Sequence, residues 1–187
     1  MGVPMARELR LNKSPVVHPT AFVAHGAVLI GDVELGPDVG IWYNCVLRGD
    51  VRAIKIGARS NLQDLTCVHG HYGMYDVIIG EDVTVGHCAL IHGCTIGDRC
   101  LIGMGAKVLN GCVIGEESII AAGAVLLEGT VVPPRSLVVG LPAKVKRTLS
   151  DSDVDFIRNA TEHYIDYARI YNALTPEQKE LAHYIGV

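Results

Sequence analysis

The sequence predicts an all-β solenoid, a parallel β-helix of about seven coils followed by a C-terminal α-helical segment. From Val17 to Val132 an aliphatic residue recurs about every six positions, often followed by glycine. This period excludes Gly-rich helices, whose apolar residues would recur about every 3.6 positions. The 187 residues include 21 glycines and 5% aromatic residues, a composition that favours frequent turns over a helical bundle. Strands this short cannot bury a face alone, so successive coils must stack around one apolar axis.

The repeated aliphatic residues sort into three columns, and three hexads make one coil of about 18 residues. The first column contains Val17, Leu35, Ile56, Ile79, Ile96, Ile114 and Val132. The second contains Val23, Ile41, Leu62, Val85, Ile102 and Ile120. The third contains Leu29, Leu47, Val68, Ile91, Val108 and Leu126. We expect these side chains to point inward, because β-branched and aliphatic residues suit short strands around an apolar core.

Three breaks in the repeat all lie in the third hexad, in consecutive coils. Leu47 and Ile56 are nine residues apart, Val68 and Ile79 eleven, and Ile91 and Ile96 five. Insertions disturb strand pairing and are expected where a surface is specialised. Neutral loop drift would not obviously place all three breaks on one edge, so we expect that edge to be functional.

The repeat divides the chain into an N-terminal segment (1–16), the β-helix (17–142) and a C-terminal helical segment (143–187). Pro133-Pro134 and Leu141-Pro142 interrupt the strands. Ser150 is the predicted N-cap of an amphipathic helix that runs to about Asn172. Residues 175–178 have the pattern of a second helix start with a capping box. We expect this segment to pack along the outside of the coil.

Composition excludes several classes of function. The net charge of -4 argues against a nucleic-acid partner, which would need clustered positive charge. The longest uncharged apolar stretch, Ser118 to Leu127, is about half the length of a membrane span, and no secretory signal is evident at the N-terminus. These features predict a soluble, cytoplasmic protein without a membrane partner. The six cysteines form no C-x-x-C pair, so we expect small packing residues and no disulfide framework.

Three of the eight histidines stand out by their register. His69 and His92 each follow a third-column residue in consecutive coils, so their backbones should lie about 4.8 Å apart. Two imidazoles stacked in this way can bind one metal ion, because tetrahedral Zn–N bonds require ligand nitrogens roughly 3.3 Å apart. His87 is the natural third ligand, but it follows the second column around a corner. A neighbouring subunit in a ring of three chains could supply it; a surface ladder without metal is the alternative.

Other polar residues border the same edge. Arg48 heads the column of His69, and an Arg48–Asp50 pair could orient the site or join two subunits. Asn61 and Gln63 flank second-column Leu62. The neutral amide of Gln63 suits the orientation of a bound water or substrate without titrating.

Four segments resemble the γ-class carbonic anhydrase family of hexapeptide-repeat proteins. They are Arg48-Gly49-Asp50, Asn61-Leu62-Gln63-Asp64, Val68-His69-Gly70, and residues 85–94 with the sequence VGHCALIHGC. Residues 140–144 resemble the family's exit from the coil, and the likeness covers about residues 15–172. Its specific part is the G-H-x4-H segment with the upstream histidine, since hexapeptide repeats alone also occur in many acyltransferases.

The resemblance implies a left-handed β-helix and a homotrimer. It also implies Zn²⁺ bound by His69 and His92 of one chain and His87 of the next, with Fe²⁺ or Co²⁺ as further metals that nitrogen ligands permit. Gln63 and Asn61 would then belong to the catalytic site, and Arg48 and Asp50 would pair near the interface. Tyr164 is the candidate for a helix tyrosine that approaches the site in many members.

The activity implied by the resemblance is reversible hydration of CO₂ to bicarbonate by a metal-bound hydroxide, which places the chain among lyases. The sequence departs from the family's archetype, since Val51 stands where a glutamate is expected. The loop over residues 71–76 also lacks glutamate. We therefore expect low turnover or a different substrate, with His71 as a candidate proton shuttle.

Two other functional classes remain open. Similar proteins from carnitine and phenylacetate metabolism have been associated with CoA thioesters, so the chain could be an acyl-CoA thioesterase or acyltransferase. No CoA-binding signature is present in the sequence. The third class is a non-catalytic trimeric scaffold that keeps the metal for stability.

Overall fold

The strands wind into a three-sided, left-handed parallel β-helix of about seven coils, with one long helix against its second face. This computed structural model describes residues 9–175 and 177–178. Within that range the strands are β1 (Val16–Val17), β2 (Phe22–Val23), β3 (Val28–Leu35), β4 (Gly40–Ile41), β5 (Val46–Ile56), β6 (Asn61–Leu62), β7 (Cys67–His69), β8 (Val77–Ile79), β9 (Thr84–Val85), β10 (Leu90–His92), β11 (Thr95–Ile96), β12 (Leu101–Ile102), β13 (Lys107–Val108), β14 (Val113–Ile114), β15 (Ile119–Ile120), β16 (Val125–Leu126), β17 (Val131–Val132), β18 (Ser136–Gly140) and β19 (Ala143–Thr148).

The strand register confirms the three predicted columns. In the later coils Ile96 pairs with Ile114 on the first face, Ile102 with Ile120 on the second, and Val108 with Leu126 on the third. All three pairings are parallel. The long strands β3 and β5 run from the third face into the first, so they carry the chain around the edge where the repeat is broken.

Most of the column side chains form one continuous core, as predicted. From Leu35 onward every member of the three columns is at most 3% exposed. The exceptions lie in the first coil, where Val17 and Val23 are exposed and Leu29 is half-buried. Within the described residues this coil has a neighbour on one side only, so its apolar side chains are less covered.

Helix α1 (Asp151–Ala173) begins at the predicted cap. The Ser150 side chain accepts a hydrogen bond from the Asp153 backbone N–H, and the Asp153 carboxylate accepts one from the Ser150 backbone. The helix packs on β2, β4, β6 and β9 of the second face through Ile157, Thr161, Ile165 and Ala168. No helix in the described part of the chain is long and apolar enough to cross a bilayer.

The segment predicted to be helical differs from that prediction at its start. Residues 143–148 form β19, which pairs antiparallel with β18 as a last rung on the second face. Most of β19 is exposed, so its sequence shows no apolar period from burial. It pairs with the strand directly before it, across the two-residue connection Leu141-Pro142. The capping box of the second predicted helix is present as reciprocal Thr175–Gln178 hydrogen bonds. The remainder of that predicted helix lies outside the described residues.

The cysteines only partly match the expected packing role. All six are free thiols, and four of them (Cys45, Cys94, Cys100 and Cys112) are buried in the core. Cys67 and Cys88 are exposed, which corrects the expectation that all six fill the interior. Cys67 points outward from β7 and Cys88 lies at a corner with φ of 60°, so neither side chain reaches the apolar axis.

Candidate metal centre

Two histidines meet on the edge where the repeat is broken. His69 ends β7 and His92 ends β10, and the two residues are direct partners in the parallel register. Nδ1 of His69 lies 3.1 Å from Nε2 of His92. The predicted register and the close approach of the two rings are therefore confirmed. Arg48 is the partner of His69 in the preceding coil, also as predicted.

The ring of His69 is oriented by Asp50 and Arg48. Asp50 Oδ1 lies 3.0 Å from His69 Nε2, and Arg48 donates to Asp50 Oδ2 at 2.6 Å. Burial raises the pKa of Asp50, but hydrogen bonds from Arg48 and His69 outweigh it and hold that pKa below its usual value. An ionised carboxylate only accepts, so His69 Nε2–H is the donor and Nδ1 keeps its lone pair. Burial also lowers the pKa of His69, which favours the neutral ring.

The ring of His92 is held on its other side by a residue that sequence reasoning missed. Asn110 Oδ1 lies 2.6 Å from His92 Nδ1. An amide oxygen accepts, so His92 Nδ1–H donates and Nε2 keeps its lone pair. Asn110 comes 18 residues after His92, the length of one regular coil, and this spacing was the signal that could have found it.

The facing nitrogens of His69 and His92 both carry lone pairs. At 3.1 Å two lone pairs repel each other unless a cation lies between them. Ligand nitrogens on a tetrahedral Zn²⁺ ion sit about 3.3 Å apart, so the observed separation suits a shared divalent ion. The pair therefore fits two ligands of the implied metal.

His87 lies at a different corner of the same coil. Its Nδ1 is 2.8 Å from Asp64 Oδ2, and its Nε2 is 3.5 Å from the hydroxyl of Tyr164 on α1. Among the described residues, no group of three His, Cys, Asp or Glu side chains could hold a metal ion. This agrees with the prediction that one chain is unlikely to bring all three histidines together.

Gln63 lies at the corner of His87, one residue past β6. Its side chain is 5% exposed, and its Oε1 has no hydrogen-bond partner within the described chain. A buried amide oxygen without a partner is costly, so this atom is available to a group that the isolated chain lacks.

Asn61 is the other buried amide among the predicted catalytic residues, and its Oδ1 has no hydrogen-bond partner within the described chain. It lies beneath α1, where its Nδ2 donates to Thr84 Oγ1 at 2.8 Å. The Thr84 hydroxyl is in turn 3.0 Å from that of Thr161 on the helix. In the single chain Asn61 therefore joins the second face to α1 and does not contact the histidine pair. Its position in β6 points outward under the helix, which a flanking position in the sequence could not reveal.

The candidate residues thus form two groups on two corners of the prism. The group that we call the paired-histidine corner contains Arg48, Asp50, His69, His92 and Asn110. The group that we call the single-histidine corner contains Gln63, Asp64, His87 and Tyr164.

A cavity opens beside each corner. The cavity at the paired-histidine corner has about 320 Å³ and is lined by His71, Met74, Tyr75, Asn110, Glu128 and Gly129. The ring of His71 lies 6.2 Å from that of His92. The cavity at the single-histidine corner has about 410 Å³ and is lined by Asp64 and five aromatic residues, among them Tyr164. Each half of the candidate site is therefore accessible from solvent in the single chain.

Two family models match the repeat region. Residues 93–128 match the bacterial transferase hexapeptide (six repeats), and residues 76–109 match the hexapeptide repeat of succinyl-transferase. Both matches identify the repeat, and neither covers half of the chain.

Similar proteins extend over most of the chain. A probable carbonic anhydrase from Methanocaldococcus jannaschii is 52% identical over 76% of this chain and 89% of its own length. Gamma carbonic anhydrase 2, mitochondrial, from Arabidopsis thaliana is 41% identical over 91% of this chain, which spans 64% of that relative. A crystal structure of a putative acetyltransferase from Bacillus cereus is similar at a TM-score of 0.85, with 39% identity over 87% of this chain and 94% of that one.

Proposed function

Because the chain belongs to the γ-class carbonic anhydrase family of hexapeptide-repeat proteins, we propose that it catalyses reversible hydration of CO₂ to bicarbonate as a metal-dependent lyase. The observation that carries the proposal is the pair of unprotonated nitrogens, His69 Nδ1 and His92 Nε2, held 3.1 Å apart. The names of the relatives from M. jannaschii and A. thaliana support the same activity.

His69 and His92 of one chain would hold the ion together with His87 of a second copy. Three imidazole ligands suit Zn²⁺ and leave a position for solvent or substrate, and Fe²⁺ or Co²⁺ are also compatible with nitrogen ligands. When bound, the ion supplies the Lewis acidity that lets water act as a nucleophile near neutral pH.

A homotrimer would complete the site. Each chain carries a paired-histidine corner and a single-histidine corner that do not meet within it. A closed ring of three copies can bring the first corner of each chain against the second corner of the next. The unpartnered Oε1 of Gln63 supports this arrangement, because an interface would give that buried atom a partner.

The chain's own side chains have three roles in this mechanism. Asp50 and Arg48 fix the ring of His69, so that Nδ1 faces the position of the ion. The Gln63 amide would orient a solvent molecule or CO₂ without changing its own charge. Tyr164 lies 3.5 Å from His87 Nε2 and would border the substrate on the partner's side of the interface.

Proton release is the step for which the site is least equipped. The loop after His69 contains no glutamate, and Val51 follows the Arg-Gly-Asp triplet. The nearby imidazole of His71 is the candidate acceptor, at a ring distance of 6.2 Å from His92. We therefore propose a low turnover.

The proposal is tested by metal content and CO₂ hydration of the purified full chain. We expect about one divalent ion per chain and hydration detectable by stopped-flow, because each interface holds one site. His92→Ala should remove both the metal and the activity. His18→Ala is the matched control, because the His18 imidazole hydrogen-bonds only with Thr20 among the described residues and lies in the first coil. Its loss should change neither quantity. Hydration that persists without metal would contradict the proposal.

Acyl transfer or thioester hydrolysis is the second candidate. Both matching family models are described as transferases, and the similar structure from B. cereus is titled a putative acetyltransferase. An assay of thiol release from acetyl-CoA separates the two activities. Metal-dependent thiol release without CO₂ hydration would favour this class, whereas a folded trimer that catalyses neither reaction would favour a scaffold.

A further inference from the structure

A polar ladder continues from His92 through the next two coils. Asn110 follows His92 by 18 residues, and Glu128 follows Asn110 by 18 residues. Asn110 Oδ1 lies 2.6 Å from His92 Nδ1, and Asn110 Nδ2 lies 2.7 Å from Glu128 Oε1. The three side chains therefore form one hydrogen-bonded chain along the edge of the prism, from the candidate ligand to the exposed carboxylate of Glu128.

We propose that Asn110 and Glu128 are positioning residues that hold His92 in the tautomer with its proton on Nδ1. The other nitrogen, Nε2, then presents its lone pair toward His69. The inference rests on the proposed function, because this tautomer matters for metal binding. Neither residue touches the position of the ion, so both act through His92.

The orientation of the Asn110 amide follows from Glu128. A carboxylate offers only acceptors, so the NH₂ group of Asn110 must face it, and the amide oxygen is left to face His92. Without Glu128 the amide could turn and offer its NH₂ group to His92 Nδ1. That contact would favour a proton on His92 Nε2, the atom that lies 3.1 Å from His69 Nδ1.

The backbone leaves room for this ladder at Gly93. A Cβ atom at this position would lie 2.7 Å from Asn110 Oδ1 and 3.2 Å from the Cβ of His71. Gly93 also has a φ of 55°, which most side chains avoid. A glycine directly after His92 thus allows the amide of the next coil to approach the imidazole.

The tautomer can be read directly from the ¹⁵N shifts and long-range couplings of the imidazoles, in the metal-free full chain at a pH where His92 is neutral. We expect Nδ1–H for His92 in the wild type. Asn110→Leu should lose this preference, and its Zn²⁺ affinity, measured by competition with a chelator, should fall about 10- to 100-fold. Glu128→Leu should give a mixture of tautomers and a smaller loss of affinity.

Conservative variants separate this role from a purely structural one. Asn110→Asp keeps an acceptor facing His92 Nδ1, so it should retain the Nδ1–H tautomer and bind Zn²⁺ about as tightly as wild type. Glu128→Gln keeps the size of the side chain, but its amide offers donors as well as an acceptor, so it should give a mixture of tautomers like Glu128→Leu. Glu34→Leu is the control, because it removes an exposed carboxylate that pairs with Lys55 on another face. It should change neither the tautomer nor the affinity.

The outcomes distinguish this inference from the proposed function. An Nδ1–H tautomer that depends on Asn110, in a protein that binds no metal, would support the ladder and contradict the metal site. Tight Zn²⁺ binding with an unchanged tautomer in folded Asn110→Leu would overturn the ladder and leave the metal site intact. A third outcome would also overturn the ladder: Glu128→Gln loses activity, keeps its Zn²⁺ affinity and regains activity when external buffer is added. Glu128 would then act in proton transfer.

Discussion

At the scale of single residues, burial separates the six thiols into two chemical classes. Cys45 donates to the carbonyl of Gln63 at 3.1 Å, and Cys100 to that of Gly115 at 3.2 Å. Burial raises the pKa of Cys45 to about 11 and that of Cys100 to about 12. Because the thiolate is the reactive form, these core thiols are inert in the folded protein.

We expect no more than two thiols per chain to react with a disulfide reagent at pH 8 under native conditions. A pKa of about 11 leaves about a thousandth of Cys45 as thiolate at that pH. The exposed candidates are Cys67 and Cys88. In guanidinium chloride all six should react, which serves as the control. Rapid native reaction of three or more thiols would contradict the packing of the core.

What the sequence predicts at this scale depends on periodicity. His69 and His92 could be placed together because each follows a column residue, and strand register carries that offset from coil to coil. Asn110 and Glu128 share the same spacing, but neither residue type by itself indicates a metal site. The surroundings of Asn61 could not be predicted from the periodicity, because they come in part from α1, about 100 residues later in the chain.

At the scale of elements, the N-terminal segment is held against the edge of the candidate site. Arg10 and Lys13 both pair with Asp32 Oδ2, at 2.6 and 2.8 Å. The Arg10 backbone N–H donates to the carbonyl of Asp50. A hydrogen bond from Lys13 is the largest cause of a pKa of Asp32 below its usual value, and Arg10 lowers it further against burial. This segment thus covers the strand that carries Asp50.

Asp32→Asn should loosen the segment without unfolding the coil. Partly exposed ion pairs contribute about 0.2–1 kcal/mol each, so hydrogen-exchange protection of the Arg10 amide should fall about 1.4- to 5-fold per lost pair. The effect depends on pH with a definite sign. Since the pKa of Asp32 is lowered by folding, its contribution is full above the ordinary value of 3.8 and is lost as pH falls through the lowered value.

The difference in protection of the Arg10 amide between Asp32→Asn and wild type should therefore be present at pH 7. It should vanish once the pH is well below the lowered pKa of Asp32. Glu34→Gln is the matched control, because its pair with Lys55 is 3.4 Å long and both side chains are well exposed. This variant should leave the Arg10 amide unchanged at every pH. Equal protection in Asp32→Asn and wild type at pH 7 would show that the ion pairs do not hold the segment.

At the scale of the whole molecule, the periodic fold separates the two halves of the candidate site. The paired-histidine corner lies between the third and first faces, and the single-histidine corner lies between the second and third. One rigid prism cannot fold these corners onto each other. Copies related by a closed threefold ring can do so, and each ring then has as many sites as chains.

Mixed trimers test this arrangement quantitatively. His87→Ala keeps an intact paired-histidine corner, and His92→Ala keeps an intact single-histidine corner. Neither variant alone should bind metal. In trimers assembled at random from equal amounts of the two variants, a complete site forms only where a His87→Ala chain supplies the histidine pair and a His92→Ala chain follows it in the ring. Each of these two positions is filled correctly half of the time, so about a quarter of the sites should recover Zn²⁺. Metal content of the co-expressed and purified trimers measures this fraction.

A mixture of His69→Ala and His92→Ala is the control, since both variants damage the same corner and no order of chains restores it. Zero recovery in the first mixture, in trimers shown by mass spectrometry to contain both chains, would exclude a site shared between subunits.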